Sequence, residues 1–383
     1  MDQPRTQPQR QQRGPGLQIG HIFGIPIYLH PSWFIIFALI TLMLGLQFTA
    51  EHPHWSPAER WALGGVTSLL FFASVIFHEV SHSIVALHYK LPVKSITLFV
   101  FGGLSAIERE PPNPGQEFNM AFAGPLSSFF LAGVFFVIWR YAHAGDFITA
   151  MAYWLFEINF ILAVFNLVPG FPLDGGRVLR AIVWGISKDY RKASRIASAS
   201  GRFIAYLMIF GGIWIALRGY WFDGLWMAFI GWFLLEAAKE SYAQVALKDT
   251  LAGVRTDDVM AKDIPTVTRD TSVDEYIHQV LRTGRRAHIV LGGDHPSGLI
   301  TLQSARHLPR EEWVNTSVQA VMIPMEKVQA AKPDEPVLQV LQRMQTADVN
   351  QMPVISDGHI VGMIGRDTIL QVVHTRMRAE HSV

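Results

Sequence analysis

The chain has no cysteine among its 383 residues, which excludes disulfides and any thiolate metal site; a metal here must be held by His, Asp or Glu. Charge is scarce as well. Asp, Glu, Lys and Arg together make up 16% of the chain, against roughly 25% in a typical soluble domain. The formal net charge is +1, so the basic excess that attracts nucleic acid is missing and no nucleic-acid partner is expected. What remains is apolar: half of all residues are hydrophobic. That balance suits a chain partly immersed in lipid, and its length favours more than one domain.

The first 18 residues, rich in Gln, Pro and Arg, read as a disordered basic leader. No short apolar core with a small-residue cleavage site follows, so they are not read as a signal peptide. Instead the chain enters an uncharged run from Pro31 to Thr49. Five further apolar segments follow, at about Trp61–Leu87, Phe118–Trp139, Phe147–Val168, Phe203–Leu217 and Trp221–Leu235. By the roughly 20-residue criterion they give about six crossings, the last two short enough to form one partial hairpin. Arg5, Arg10 and Arg13, then Lys90 and Lys94, then the basic stretch from Arg177 to Arg202, and finally Lys239 alternate with loops poor in Lys and Arg. The positive-inside rule then places both termini in the cytoplasm of a multi-pass cell-membrane protein. Tryptophans near the segment ends, such as Trp61, Trp139 and Trp221, read as interfacial anchors.

From about Val254 the composition becomes that of a soluble α/β module, and it repeats at an offset of 64: Val273 answers Val337, Gly298 answers Gly362, and Ile300 answers Ile364. Two such units, 254–310 and 318–376, resemble a tandem pair of CBS domains. The resemblance implies a clefted module, a possible homodimer through it, and adenine nucleotide as a candidate ligand. The pattern departs from nucleotide-binding pairs. Thr301 is present, but Ser304 stands where an Asp would hold the ribose, and the second unit has Gly365 and Thr368 at the equivalent places, with Asp367 one position early. A purely structural or dimerising role is equally open; a ligand, if bound, would act by shifting open and closed membrane states.

The strongest chemical signal lies inside the second apolar segment, HEVSH at His78–His82. His78 and His82, four apart on a helix, project from nearly one face and can grip one ion. Glu79 lies beside the first, placed to take a proton from a water on that ion, which is the H-E-x-x-H arrangement of zinc peptidases. Idle, these groups would cost several kcal/mol in a spanning helix. A catalytic zinc takes three protein ligands. The best third candidate is Asp174 in N-L-V-P-G-F-P-L-D-G-G, where Pro169 and Pro172 end a helix and Gly175 and Gly176 are expected to let the backbone turn sharply. Asp174 could equally cap a helix, and Asn166 could serve a helix end.

HEVSH in one apolar segment and N-x-x-P-x-x-P-L-D-G-G in a later one resemble the paired signatures of the site-2 protease family of intramembrane metalloproteases. GIPIYLHPSW at Gly24–Trp33, VKSITLFVFGGLSAIE and AGPLSS at Ala123–Ser128 agree with this, over residues 19–245. The resemblance implies one Zn2+ per chain on His78, His82 and Asp174, with Glu79 as acid and base. It implies Asn166 as a contact to substrate or oxyanion, and a membrane-spanning protein or peptide as substrate. Val93–Ile107, alternating and ending near Gly102 and Gly103, reads as a strand or hairpin dipping into the membrane, or as a plain cytosolic loop hairpin. The expected fold class is therefore a polytopic α-helical membrane protein with a membrane-associated β-hairpin or sheet, followed by a cytosolic α/β tandem CBS module. A CBS-regulated channel or transporter and a proteolytically inactive scaffold are the rival readings.

Overall fold

The computed structural model describes residues 16–100, 102–107, 109–141, 145–293, 295–306 and 308–381, with side chains to residue 376. Most of the expected leader lies outside these residues. The chain divides into two compact units between Ala243 and Gln244.

Seven helices form the first unit among the described residues: α1 Ser32–Glu51, α2 Pro57–His88, α3 Pro114–Tyr141, α4 Asp146–Asn166, α5 Asp174–Ser187, α6 Tyr190–Leu217 and α7 Trp221–Thr250, the last running on into the second. Helix α2 starts where the sequence directs it. Ser56 accepts from the Glu59 amide, the Glu59 carboxylate accepts from the Ser56 amide at 2.7 Å, and Pro57 occupies the first turn. Its 32 residues span about 48 Å, more than the roughly 30 Å hydrocarbon core. Five helices (α1, α2, α3, α4 and α6) are long and apolar enough to cross a membrane. The sixth expected segment, Trp221–Leu235, is the first half of α7, and α7 falls short of that measure, with Asp223 inside its apolar run and Glu236, Lys239 and Glu240 just beyond it. Small residues let α1 and α2 approach: a side chain at Gly64 would lie 3.2 Å from the Gly45 backbone.

Beside the helices lies a four-stranded sheet, β1 Leu17–Ile22, β2 Ile25–Leu29, β3 Val93–Phe99 and β4 Gly102–Ile107, in that order. The Val93–Ile107 segment is thus a hairpin, with Thr97 opposite Leu104. Its partner hairpin was not anticipated. Leu17 and Gln18, assigned to the leader, belong to β1; Phe23 and Gly24 turn the chain with φ of 51° and 78°; and β2 pairs in parallel with β3. Strand β4 forms one edge of the sheet.

The second unit shows the repeat directly. Val273 and Val337 both open helices and are fully buried, as are Ile300 and Ile364 on the matching strands. Gly298 and Gly362 are glycine for one shared reason: a side chain would strike the Ile323 carbonyl in one case and the Ala261 carbonyl in the other. Each backbone comes from the other repeat's leading segment. Ile323–Pro324 pairs with His295–Thr301, and Ala261 bridges Met363. The cores are exchanged likewise, with Val254 and Val259 packed among Val337, Leu341 and Ile364. Neither repeat can close its core without the other.

His288 is buried in the strand Ala287–Gly292, its Nδ1 without a partner and its ring edge-on to Tyr276 at 5.2 Å. Burial, then the Arg285 charge, lowers its pKa below the ordinary value of about 6.5. The unfolded chain therefore binds the proton more readily. Stability is complete above about pH 6.5 and falls as the pH drops toward the folded value. Hydrogen exchange of Ala287–Gly292, corrected for intrinsic rate, is expected to show protection falling between about pH 7 and 5 in the intact chain, and His288→Leu is expected to flatten that dependence. Protection independent of pH would contradict the assignment.

Candidate active site

Helix α2 points His78 and His82 to one side, both more than nine-tenths buried. Asp174, the first residue of α5, meets them there. His78 Nε2 and His82 Nε2 lie 3.1 and 3.2 Å from Asp174 Oδ2 and 3.2 Å from each other. Ligands about 2.0–2.1 Å from a tetrahedral zinc stand about 3.3 Å apart, so the three atoms have the spacing one such ion demands. Among the described residues this is the one cluster of three His, Asp or Glu side chains able to hold a metal.

The opposite edge of each imidazole is anchored on α3. His82 Nδ1 donates to the Met120 carbonyl at 2.7 Å, which leaves Nε2 as the lone-pair nitrogen, and His78 Nδ1 shares a 2.9 Å hydrogen bond with Ser128 Oγ. Between them α3 carries Gly124, where a β-carbon would lie 2.2 Å from His82 Nε2 and 2.5 Å from His78 Nε2. Sequence reading marked Ala123–Ser128 without giving it a task. The structure supplies two: space for the rings, and a hydroxyl for His78.

Asp174 is presented by the loop after α4. Its carboxylate does not cap α5, whose N-cap is Leu173 with no side-chain hydrogen bond. Gly175 and Gly176 do not turn the chain sharply, as was expected; they sit buried in α5. A β-carbon at Gly175 would lie 2.3 Å from the Leu167 carbonyl oxygen, and one at Gly176 2.4 Å from the Gly170 backbone. The glycines thus let α5 press onto the N-x-x-P-x-x-P loop. Phe171 fixes the loop from the other side, its amide donating to the Ala197 carbonyl on α6 at 3.2 Å.

Glu79 is half-buried and faces β4. Ser105 Oγ donates to Glu79 Oε2 at 2.7 Å, and a side chain at Gly103 would collide with the Glu79 Cγ at 2.4 Å. Asn166, the last residue of α4, makes no side-chain hydrogen bond among the described residues. His78, Glu79, His82, Asn166 and Asp174 all line one cavity of about 440 Å³, with Phe72, Val75 and Leu162 as apolar wall and Gly102–Ser105 along one side. A larger cavity, about 740 Å³, belongs to the second unit and lies between its repeats, beside Thr301, Ser304, Arg306 and Asp348.

Comparison with known proteins identifies the family of each unit. The family model Peptidase family M50 matches residues 66–145 and 139–209, and the CBS domain model matches 257–309 and 318–375. Protein sll0528 of Synechocystis is 33% identical over 94% of this chain and 96% of its own length. The chain belongs to peptidase family M50. Rip3 of Mycobacterium tuberculosis is 31% identical over 93% of this M50 chain and 92% of its own length; both relatives are provisionally named zinc metalloproteases. Zinc metalloprotease MJ0392 of Methanocaldococcus jannaschii is 26% identical over 93% and 96%. The solved site-2 protease from Methanocaldococcus jannaschii, 28% identical, matches 59% of this chain and 94% of its own with a TM-score of 0.40. This M50 member therefore joins a peptidase unit with five helices long and apolar enough to cross a membrane to a CBS pair.

Gly124→Ala is expected to drive the imidazoles of the M50 site apart. Elemental analysis of the purified variant should find well below one zinc per chain, with helical circular dichroism unchanged. Full zinc content would show that the gap at position 124 is not required.

Proposed function

We propose that this M50 protein is an intramembrane zinc endopeptidase that cuts membrane-spanning substrates near the cytoplasmic face, as in regulated intramembrane proteolysis. One observation carries the reading: two imidazole nitrogens and a carboxylate oxygen converge at 3.1–3.2 Å in the cavity that also holds Glu79. The donor set fits zinc, with two neutral nitrogens, one anionic oxygen and the far side of each imidazole already anchored. In this reading His78, His82 and Asp174 hold one Zn2+ per chain. Bound there, zinc supplies the Lewis acidity that makes water a nucleophile at neutral pH.

The remaining roles belong to the chain's own groups. Ser105 donates a hydrogen bond to Glu79 Oε2, which fixes the aim of the carboxylate. Glu79 takes the proton from the attacking water and delivers it to the leaving amine. Asn166 offers a free amide donor to the oxyanion, a contribution of about 2.7–4 kcal/mol where such donors have been removed. The apolar wall keeps bulk water from the charges.

A helical substrate hides its peptide bonds, so it must unwind before it can be cut. Strand β4 is an edge of its sheet with Gly102–Ser105 on the cavity, which supports substrate addition to that edge in extended form. Lys and Arg distribution supports cytoplasmic termini. The cleft of the CBS pair has room for a small ligand, but the hydroxyl of Thr301 is hydrogen-bonded to Ser304 at 2.9 Å and no carboxylate occupies position 304. We therefore assign the module a regulatory or dimerising role rather than obligatory nucleotide binding. A channel is disfavoured because the buried ionisable side chains described in the first unit are engaged with one another, His78 with His82 and Glu117 with Arg180, instead of lining an open path.

Glu79→Gln is expected to retain one zinc yet to cleave a single-span peptide in liposomes about 10²–10⁴-fold more slowly. Asp174→Ala should lose both zinc and cleavage. Unimpaired cleavage by Glu79→Gln would remove Glu79 from the mechanism.

A further inference from the structure

Outside the cavity, the described residues of the first unit also bury an ion pair. Arg180 on α5 is 5% exposed and Glu117 on α3 is fully buried. Arg180 Nε donates to Glu117 Oε1 at 2.6 Å, and Nη2 contacts the same oxygen. The guanidinium also lies over two rings, its carbon 4.9 Å from the centroid of Phe171 and 4.9 Å from that of Tyr190. Tyr190 in turn donates to Glu110 Oε2 at 3.1 Å.

Stability alone does not call for such a pair, because a buried ion pair can often be replaced by apolar side chains of similar volume with no loss. What an apolar contact cannot supply is a fixed direction. A planar guanidinium with fixed donors stacks and bonds in one orientation. The two ends of this pair are also placed tellingly. Glu117 lies one helical turn before Met120, whose carbonyl orients His82, and two turns before Gly124, which makes room for both rings. Arg180 lies on the helix that begins with Asp174 and stacks on Phe171 of the loop that presents it. The pair is therefore a direct tie between the element that anchors the two histidines and the element that carries the carboxylate.

We propose that Glu117 and Arg180 are positioning residues that set the separation between Asp174 and the two imidazoles, and through it the affinity for zinc and the turnover rate, without touching substrate. This rests on the zinc protease reading. Phe171 and Tyr190 hold the guanidinium in the plane that the pairing needs.

The test uses the full-length chain in liposomes, as wild type, Arg180→Lys, and the double variant Glu117→Leu with Arg180→Met. Four quantities are measured: zinc affinity by chelator competition, thermal unfolding of the zinc-free protein, kcat and KM for a single-span peptide. Arg180→Lys keeps the charge and loses the fork and the stacking. It is expected to unfold, zinc-free, close to the wild-type temperature, to bind zinc about 10–100-fold more weakly, and to lose kcat on the same scale with KM nearly unchanged. The apolar double variant should fold and show the same losses. Folded variants with wild-type zinc affinity and kcat would overturn the proposal. So would losses that follow the zinc-free unfolding temperature alone, or failure of both variants to fold, since the pair would then serve folding only. A wild type that binds no zinc would overturn the protease reading along with it, which separates the two failures.

Discussion

Two imidazoles and a carboxylate set inside a lipid-spanning bundle are costly unless each finds a partner, and the arrangement of the first unit follows from satisfying them. Each histidine has its Nδ1 anchored on α3, by the Met120 carbonyl and by Ser128. Each presents Nε2 to Asp174. With both ring edges engaged, little rotational freedom remains in the imidazoles, and the cluster is ordered before any substrate arrives. Pre-organisation of this kind is what lets a site spend binding interactions on the reaction rather than on arranging itself.

That demand explains the glycines better than chain flexibility does. Gly124 is empty space against two imidazoles, Gly103 is empty space against Glu79, and Gly175 and Gly176 are empty space against the loop that delivers Asp174. Gly201 completes the set, since a β-carbon there would lie 2.1 Å from the Phe171 carbonyl oxygen. Helix α2 and the start of α5 bring the polar side chains into one small volume, and α3, β4 and α5 each give up a side chain at the point of closest approach. In the second unit the same economy appears at Gly298 and Gly362, where exchanged segments cross.

Much of this was legible in the sequence. The i, i+4 histidines, the adjacent glutamate and the distant L-D-G-G announce their chemistry because the residue types are rare in apolar runs. The CBS pair announces itself by repetition, and the Val93–Ile107 hairpin by alternation. The rest was hidden for identifiable reasons. The β1–β2 hairpin is two strands of five and six residues joined by Phe23–Gly24, and its parallel pairing with β3 joins residues some 70 apart, which no local pattern encodes. The Met120 carbonyl is backbone and carries no signature. Ser128 and Ser105 look like ordinary small helix and strand residues until the folded chain shows what they bond. The exchange of leading segments between the repeats follows from a close approach at two glycines, which sequence marks only as a repeat.

The central claim is that the side chains of His78, His82 and Asp174 surround a single zinc within the bilayer. Zinc K-edge absorption fine structure of the intact protein in lipid tests it most directly. The account predicts a low-coordinate shell of nitrogen and oxygen at about 2.0–2.1 Å with the outer-shell scattering of two imidazoles. A six-oxygen shell, or one with fewer than two imidazoles, would contradict it.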